Sequence, residues 1–130
     1  MKNIQLTCAH ALIKYLIAQK TLIDGKKAPL FPGVFGIFGH GNVACLGQAL
    51  QENQKDLPTW RGHHEQNMAL TGIAYSRAKR RKQIFIATAS VGPGSTNMIT
   101  AAAVAMSNRI PILFLPGDTF ANRMPDPVLQ

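Results

Sequence analysis

Acidic residues are scarce in this 130-residue chain, with six Asp and Glu against fourteen Lys and Arg, a formal net charge of +8. The resulting pI near 10.0 makes nucleic acid or an acidic protein surface the natural partner to consider. Cysteine is scarce too. Cys8 and Cys45 stand far apart with no CxxC spacing, which excludes a zinc ribbon and a disulfide framework. No apolar run approaches the roughly 18 residues of a membrane span, and low-complexity segments and internal repeats are missing. The opening MKNIQLTCAHALIKYLIAQK has the outline of a secretion signal. However, Lys14 interrupts its apolar part and no A-x-A-like site follows, so a reducing, cytoplasmic setting is expected. What remains is globular: 46% of residues are hydrophobic, enough for one core in a chain of this length.

Apolar spacing predicts a helix over Thr7–Ile23, with Thr7 as its cap and Ala11, Leu12, Tyr15 and Leu16 on its inner face. Asp24–Pro29 reads as a turn. Gly33–Gly39 is a short apolar run between glycines, suited to a buried parallel strand. A second helix is expected to open at Asn42 and reach about Asn53, followed by a connector around Pro58, Trp60 and Arg61 with a possible short strand. A third runs from His63 to Arg80 with Met68, Ala69, Gly72, Ile73, Tyr75 and Ser76 as its stripe. Ile84–Thr88 is the next strand, Thr96–Met106 the last helix and Pro111–Pro116 the last strand. Alternating strands and helices with short connections imply an α/β fold: a parallel sheet covered on both faces.

Ligands of open parallel sheets bind beyond the carboxyl ends of the strands. Three loops fall there: Gly36–Asn42, Arg61–Gln66 and Ser90–Asn97. The turn Gly92-Pro93-Gly94-Ser95-Thr96-Asn97 suits either an anion or ring edge at a helix start or tight strand-to-helix packing by small residues. It matches neither the Walker nor the GxGxxG pattern. Glu65, at the start of a helix, serves either as a capping acid or as a carboxylate held for one strong hydrogen bond or proton transfer. Neighbouring His63 and His64 point apart on a helix start and lack a third ligand at fixed spacing, so no metal site is expected. His40, between glycines, is a candidate substrate contact. Cys45 is expected in the core and Trp60 as a packing anchor. Five cations crowd into Arg77–Lys82; they read as a solvated helix end, with a nucleic-acid face or a surface for an acidic partner domain as the alternatives.

Four segments recur together and in order in one family. Phe35-Gly36-Ile37-Phe38-Gly39, Arg61-Gly62-His63-His64-Glu65-Gln66, Ser90-Val91-Gly92-Pro93-Gly94-Ser95-Thr96-Asn97 and Pro111-Ile112-Leu113 with Gly117-Asp118 resemble the N-terminal pyrimidine-binding domain of thiamine-diphosphate enzymes of the acetolactate synthase and benzoylformate decarboxylase group. The resemblance spans about residues 4 to 120 and implies a three-layer α/β/α fold with a parallel sheet. Residues 1–120 would form the pyrimidine-binding domain and residues 121–130 the start of a linker to missing domains. Leu57–His63, Ala78–Gln83 and Leu115–Asp118 followed by Arg123–Gln130 are similar to the inositol-catabolic branch. That branch opens a cyclic 1,2-diketone by C–C hydrolysis.

By position, the resemblance makes Glu65 the catalytic residue that hydrogen-bonds N1′ of the aminopyrimidine. A carboxylate there favours the imino tautomer, whose 4′-nitrogen takes the thiazolium proton. Gly39, Gly92, Gly94 and Asn97 would hold the cofactor, and His40 and Ser90 would face substrate. Phe38 stands where this family often has proline, and His64 where the hydrolase branch has asparagine. No Gly-Asp-Gly…Asn-Asn signature is present. In the family that signature holds magnesium and the diphosphate, so the resemblance implies that both belong to a missing domain, supplied by a second subunit of a homodimer or tetramer, and that the chain alone is inactive. Still open are another thiamine-diphosphate activity (decarboxylase or acetolactate-type synthase), a small subunit of a split enzyme, a basic nucleic-acid-binding module, and a degenerate regulatory domain without cofactor.

Overall fold

A computed structural model of the chain describes residues 3–119 and Asn122. Apart from Asn122, the expected linker over 121–130, with its Arg123–Gln130 motif, lies outside the described residues.

Helix α1 spans Cys8–Ala18. Thr7 caps it as expected, its hydroxyl accepting from the His10 N–H at 3.2 Å. The helix stops five residues earlier than the apolar spacing implies. Asp24 and Gly25 both adopt positive φ, 49° and 77°, which makes the two-residue turn that fits the twist of a hairpin. That turn pairs β1 (Lys20–Ile23) with β2 (Lys26–Pro29) antiparallel, Ile23 opposite Lys26.

The main sheet has four parallel strands in the order β4 (Thr59–Arg61), β3 (Val34–Ile37), β5 (Ile86–Ala89), β6 (Leu113–Pro116). Side chains alternate between its faces. On one, Val34 and Ile86 pack with Ile13, Leu16, Leu46, Ala49, Leu50 and Leu57. On the other, Ala87 and Ala89 pack with Ala69, Ile73, Met98, Ala101, Ala105 and Ile110. Two helical layers thus sandwich the sheet, the three-layer architecture expected. Every residue of β5 is buried, as a central parallel strand requires. Its one hydroxyl, on Thr88, donates to Leu115 O at 2.8 Å, so no polar group is stranded.

The helix expected from Asn42 begins earlier and is not uniform. It runs as α2 (Gly39–Asn42), a π-helical turn (Val43–Gly47) and α3 (Gln48–Glu52). Cys45, on the π-helical turn, is exposed, which corrects its expected place in the core: its side chain falls on the solvent side of this segment, whose buried residue is Leu46. His10 joins α1 to α3: its Nε2 lies 2.8 Å from Glu52 Oε2. That hydrogen bond, and a second from Gln48, hold the Glu52 carboxyl below its ordinary range.

Helix α4 (Glu65–Ala78) buries Met68, Ala69, Gly72, Ile73 and Ser76, nearly the whole stripe read from the sequence. The expected last helix, Thr96–Met106, is α6 (Ile99–Asn108), and the glycine-rich turn before it winds into a short helix, α5 (Pro93–Thr96). Trp60 is an anchor that remains 48% exposed, its ring 6.0 Å from Phe35 and 5.8 Å from Phe85. The basic run has internal partners. Arg81 donates through Nε to Arg109 O at 2.8 Å, setting a cation on the negative end of α6. Lys79 lies over the Tyr75 ring, and Lys82 reaches Asp24 at 3.7 Å.

Candidate functional site

Beyond the carboxyl ends of β3, β5 and β6, small residues let three loops converge. Ser95 Oγ reaches Ser90 O at 2.6 Å and Gly117 O at 2.9 Å. Asn42 donates its amide to Ala89 O at 3.2 Å, and Gly117 N–H donates to the same carbonyl at 2.9 Å. Gly92 turns the chain with φ 62° and ψ −119°, a region that residues with a side chain scarcely enter. Pro93 then opens α5 with its φ already set. Gly39, with φ 68°, makes the corresponding turn after β3. The sequence reading gives neither Asn42 nor Ser95 a site role of its own, yet both pin the loops. Their signal is only that short polar side chains sit among glycines.

Glu65 is the first residue of α4 and is half-buried. It does not cap its own helix: α4 has no side-chain cap. Its Oε2 instead accepts from Asn97 Nδ2 at 2.8 Å, across to the residue that ends α5. Its Oε1 makes no hydrogen bond among the described residues. Gly94 is buried beside this carboxylate: a Cβ there would stand 3.4 Å from Glu65 Oε1 and collide with Ser90 Oγ. One oxygen is thus held and the other left open over a wall kept bare. A carboxylate arranged in this way can accept one strong hydrogen bond from a flat heterocycle or exchange one proton with it.

Of the expected site residues, the fold joins Glu65 to Asn97 by a hydrogen bond and sets Gly94 beside both Glu65 and Ser90, with Gly92 forming the turn that precedes Gly94. Gly39 lies on the neighbouring loop. His40 is exposed on α2 and makes no side-chain hydrogen bond among the described residues. His64 stands next to Asn97, Nε2 to Nδ2 3.4 Å, while His63 is exposed. Among the described residues no three His, Cys, Asp or Glu side chains gather as metal ligands, and no helix is long and apolar enough to cross a membrane.

Comparison with known proteins meets this geometry from the other side. The family described as "Thiamine pyrophosphate enzyme, N-terminal TPP binding domain" matches residues 27–130. Proteins named 3D-(3,5/4)-trihydroxycyclohexane-1,2-dione hydrolase are similar over nearly the entire chain. The one from Geobacillus thermodenitrificans is 55% identical over 100% of the chain, that from Listeria innocua 54% over 99%, and that from Clostridium tetani 53% over 100%. The chain spans 20% of the length of each. On the match over residues 27–130 and this identity, the chain belongs to the thiamine pyrophosphate enzymes, as their N-terminal TPP-binding domain.

Proposed function

We propose that the chain is the pyrimidine-binding part of a thiamine-diphosphate-dependent hydrolase that opens trihydroxycyclohexane-1,2-dione to a deoxy-sugar acid, a step of myo-inositol catabolism in the cytoplasm. The observation that carries the reading is the state of Glu65, near the carboxyl end of the sheet: Oε2 is taken by Asn97, and Oε1 makes no hydrogen bond among the described residues. The residues present fit the cofactor, since Gly94 leaves bare the wall beside that oxygen. The similarity to hydrolases, at 53–55% identity, favours this substrate over those of decarboxylases or synthases.

In this reading Glu65 holds a proton between Oε1 and N1′ of the aminopyrimidine, while Asn97 fixes the carboxylate plane. Gly39, Gly92 and Gly94 keep the wall shallow enough for a ring to approach. Ser90 and His40 present hydroxyl and imidazole to the substrate. The cofactor, when bound, supplies the electron sink for C–C cleavage. Magnesium and the diphosphate fall to a second domain, contributed by a neighbouring subunit of a homodimer.

Replacing Glu65 by Gln keeps size and hydrogen bonding but removes proton exchange. In the assembled enzyme, Glu65→Gln is expected to lower kcat for diketone ring opening by about 10²–10⁴-fold, with the fold intact by circular dichroism. A glutamine variant of unimpaired turnover would remove the assignment.

A further inference from the structure

Three segments meet at the amino ends of the sheet strands. The Asp24-Gly25 hairpin lies against the chain leaving α4: Lys82 reaches Asp24 at 3.7 Å, Gln83 Nε2 donates to Pro29 O at 2.9 Å and Ile84 N–H to Leu30 O at 2.9 Å. Arg81 joins the end of α6 through Arg109 O. Lys26 and Lys27, the five cations of Arg77–Lys82 and Arg109 are all exposed, and Asp24 is the one acid on these segments. Eight of the fourteen Lys and Arg thus gather here with one of the six acids, and the rest of the chain is close to neutral, six against five. Two of the arginines stand where a helix ends. Arg80 N–H returns to Arg77 O at 3.0 Å and Arg81 N–H to Ser76 O at 2.8 Å; Arg109 N–H returns to Met106 O at 3.1 Å and Ile110 N–H to Ala105 O at 2.9 Å. In both motifs the turning residue is left-handed, φ 51° at Arg80 and 52° at Arg109, and glycine is its usual occupant. The chain uses glycine for positive φ at Gly25, Gly39 and Gly92, yet keeps arginine at these two strained positions.

We propose that this face is an interface whose partner is an acidic protein surface, a carboxylate-rich stretch of the polypeptide that surrounds this domain in the assembled enzyme. The inference rests on the reading of the chain as one domain of a larger assembly, and is independent of the role of Glu65. Arg81 and Lys82 work within the fold, whereas Arg77, Arg80, Arg109, Lys26 and Lys27 form no ion pair among the described residues. Charge complementarity selects an anionic partner, and a planar guanidinium pairs with a carboxylate through two parallel hydrogen bonds. A protein fits better than a nucleic acid, because the face offers no ring on which a base could stack: Lys79 already covers Tyr75, and Phe85 is 5% exposed. The chain spans 20% of the length of its relatives, so most of an assembly of that kind lies outside it. The face stands at the far end of α4 from Glu65, and a partner docked there leaves the cofactor crevice open.

Lysine acetylation by a water-soluble active ester tests the contact. In the assembled enzyme, Lys26, Lys27 and Lys79 should be labelled several-fold more slowly than in the 130-residue chain alone. Equal rates in both overturn the proposal, as does protection that appears only when mixed-sequence duplex DNA is added. Arg80→Gly gives a second measurement. Glycine takes the left-handed conformation without strain, so the variant chain alone should melt at the temperature of the native chain or above it. Its affinity for the remaining domains should nevertheless fall about tenfold, and the fall should shrink in about 0.5 M salt, where charges are screened. Unchanged affinity in Arg80→Gly overturns the proposal. If Glu65→Gln leaves turnover untouched while Arg80→Gly still weakens assembly, the interface stands and the cofactor reading fails.

Discussion

At Gly94 the absence of one methyl group shapes the site. The position is buried, and a Cβ would run into Ser90 Oγ while touching Glu65 Oε1 at 3.4 Å. Gly94→Ala is therefore expected to cost about 1–3 kcal/mol, the usual penalty for overfilling a packed position. Ser90→Ala in the same chain removes the atom in the way and should return much of the loss, a coupling of about 0.5–3 kcal/mol. Chemical denaturation of the two single variants and the double variant measures the cycle; strictly additive losses would mean that the two groups do not share this space. Glu65 was legible in the sequence because acids are rare and this one opens a helix between two histidines and a glutamine. Its pairing with Asn97 was not. Asn97 lies 32 positions away in sequence, and no local periodicity reports a contact that only the convergence of α4 and α5 creates.

Among the elements, the tie between α1 and α3 is the one that titrates. The hydrogen bonds from His10 and Gln48 lower the Glu52 pKa below its ordinary value of 4.5. A group whose folded pKa is depressed adds stability above its unfolded pKa and loses it as pH falls through the folded one. Acidification below that range should therefore loosen α1 from α3. The loss of Tm between about pH 6 and about pH 3 is expected to be smaller in Glu52→Gln than in the native chain; equal slopes would show that the pair contributes nothing. The stripe of α4 could be read because its burial follows the helical period of 3.6, and the strands because a parallel sheet covered on both faces takes short continuous apolar runs, as the fully buried β5 does. Two elements could not. The hairpin at Asp24-Gly25 was hidden because Leu22 and Ile23 continue the apolar spacing of α1. The π-helical turn was hidden because an inserted residue leaves no mark in composition; Cys45 and Val43 on it are both exposed.

For the whole molecule, the basic run and Glu65 lie at opposite ends of α4. α4 carries Glu65 at its first residue and the Arg77–Lys82 run at its last turn and beyond, about 21 Å apart along a 14-residue helix. The basic end already caps α6 and meets Asp24, so the positive charge serves helix termini and lies away from the carboxylate. At the site end, Glu65 Oε1 has no side-chain donor among the described residues, and no metal-ligating group of three faces it. The chain covers one fifth of its relatives' length. In the proposed reading this chain orients the aminopyrimidine, while the pyrophosphate and its metal ion need charge-assisted donors and oxygen ligands contributed by another domain. Supplied with thiamine diphosphate and magnesium, the 130-residue chain by itself should consume the diketone no faster than the cofactor does in buffer. Adding the remaining domains should start turnover, and Glu65→Gln should suppress it again. Ring opening by this chain alone, followed by the loss of the diketone absorbance, would mean that a complete active centre resides within these residues.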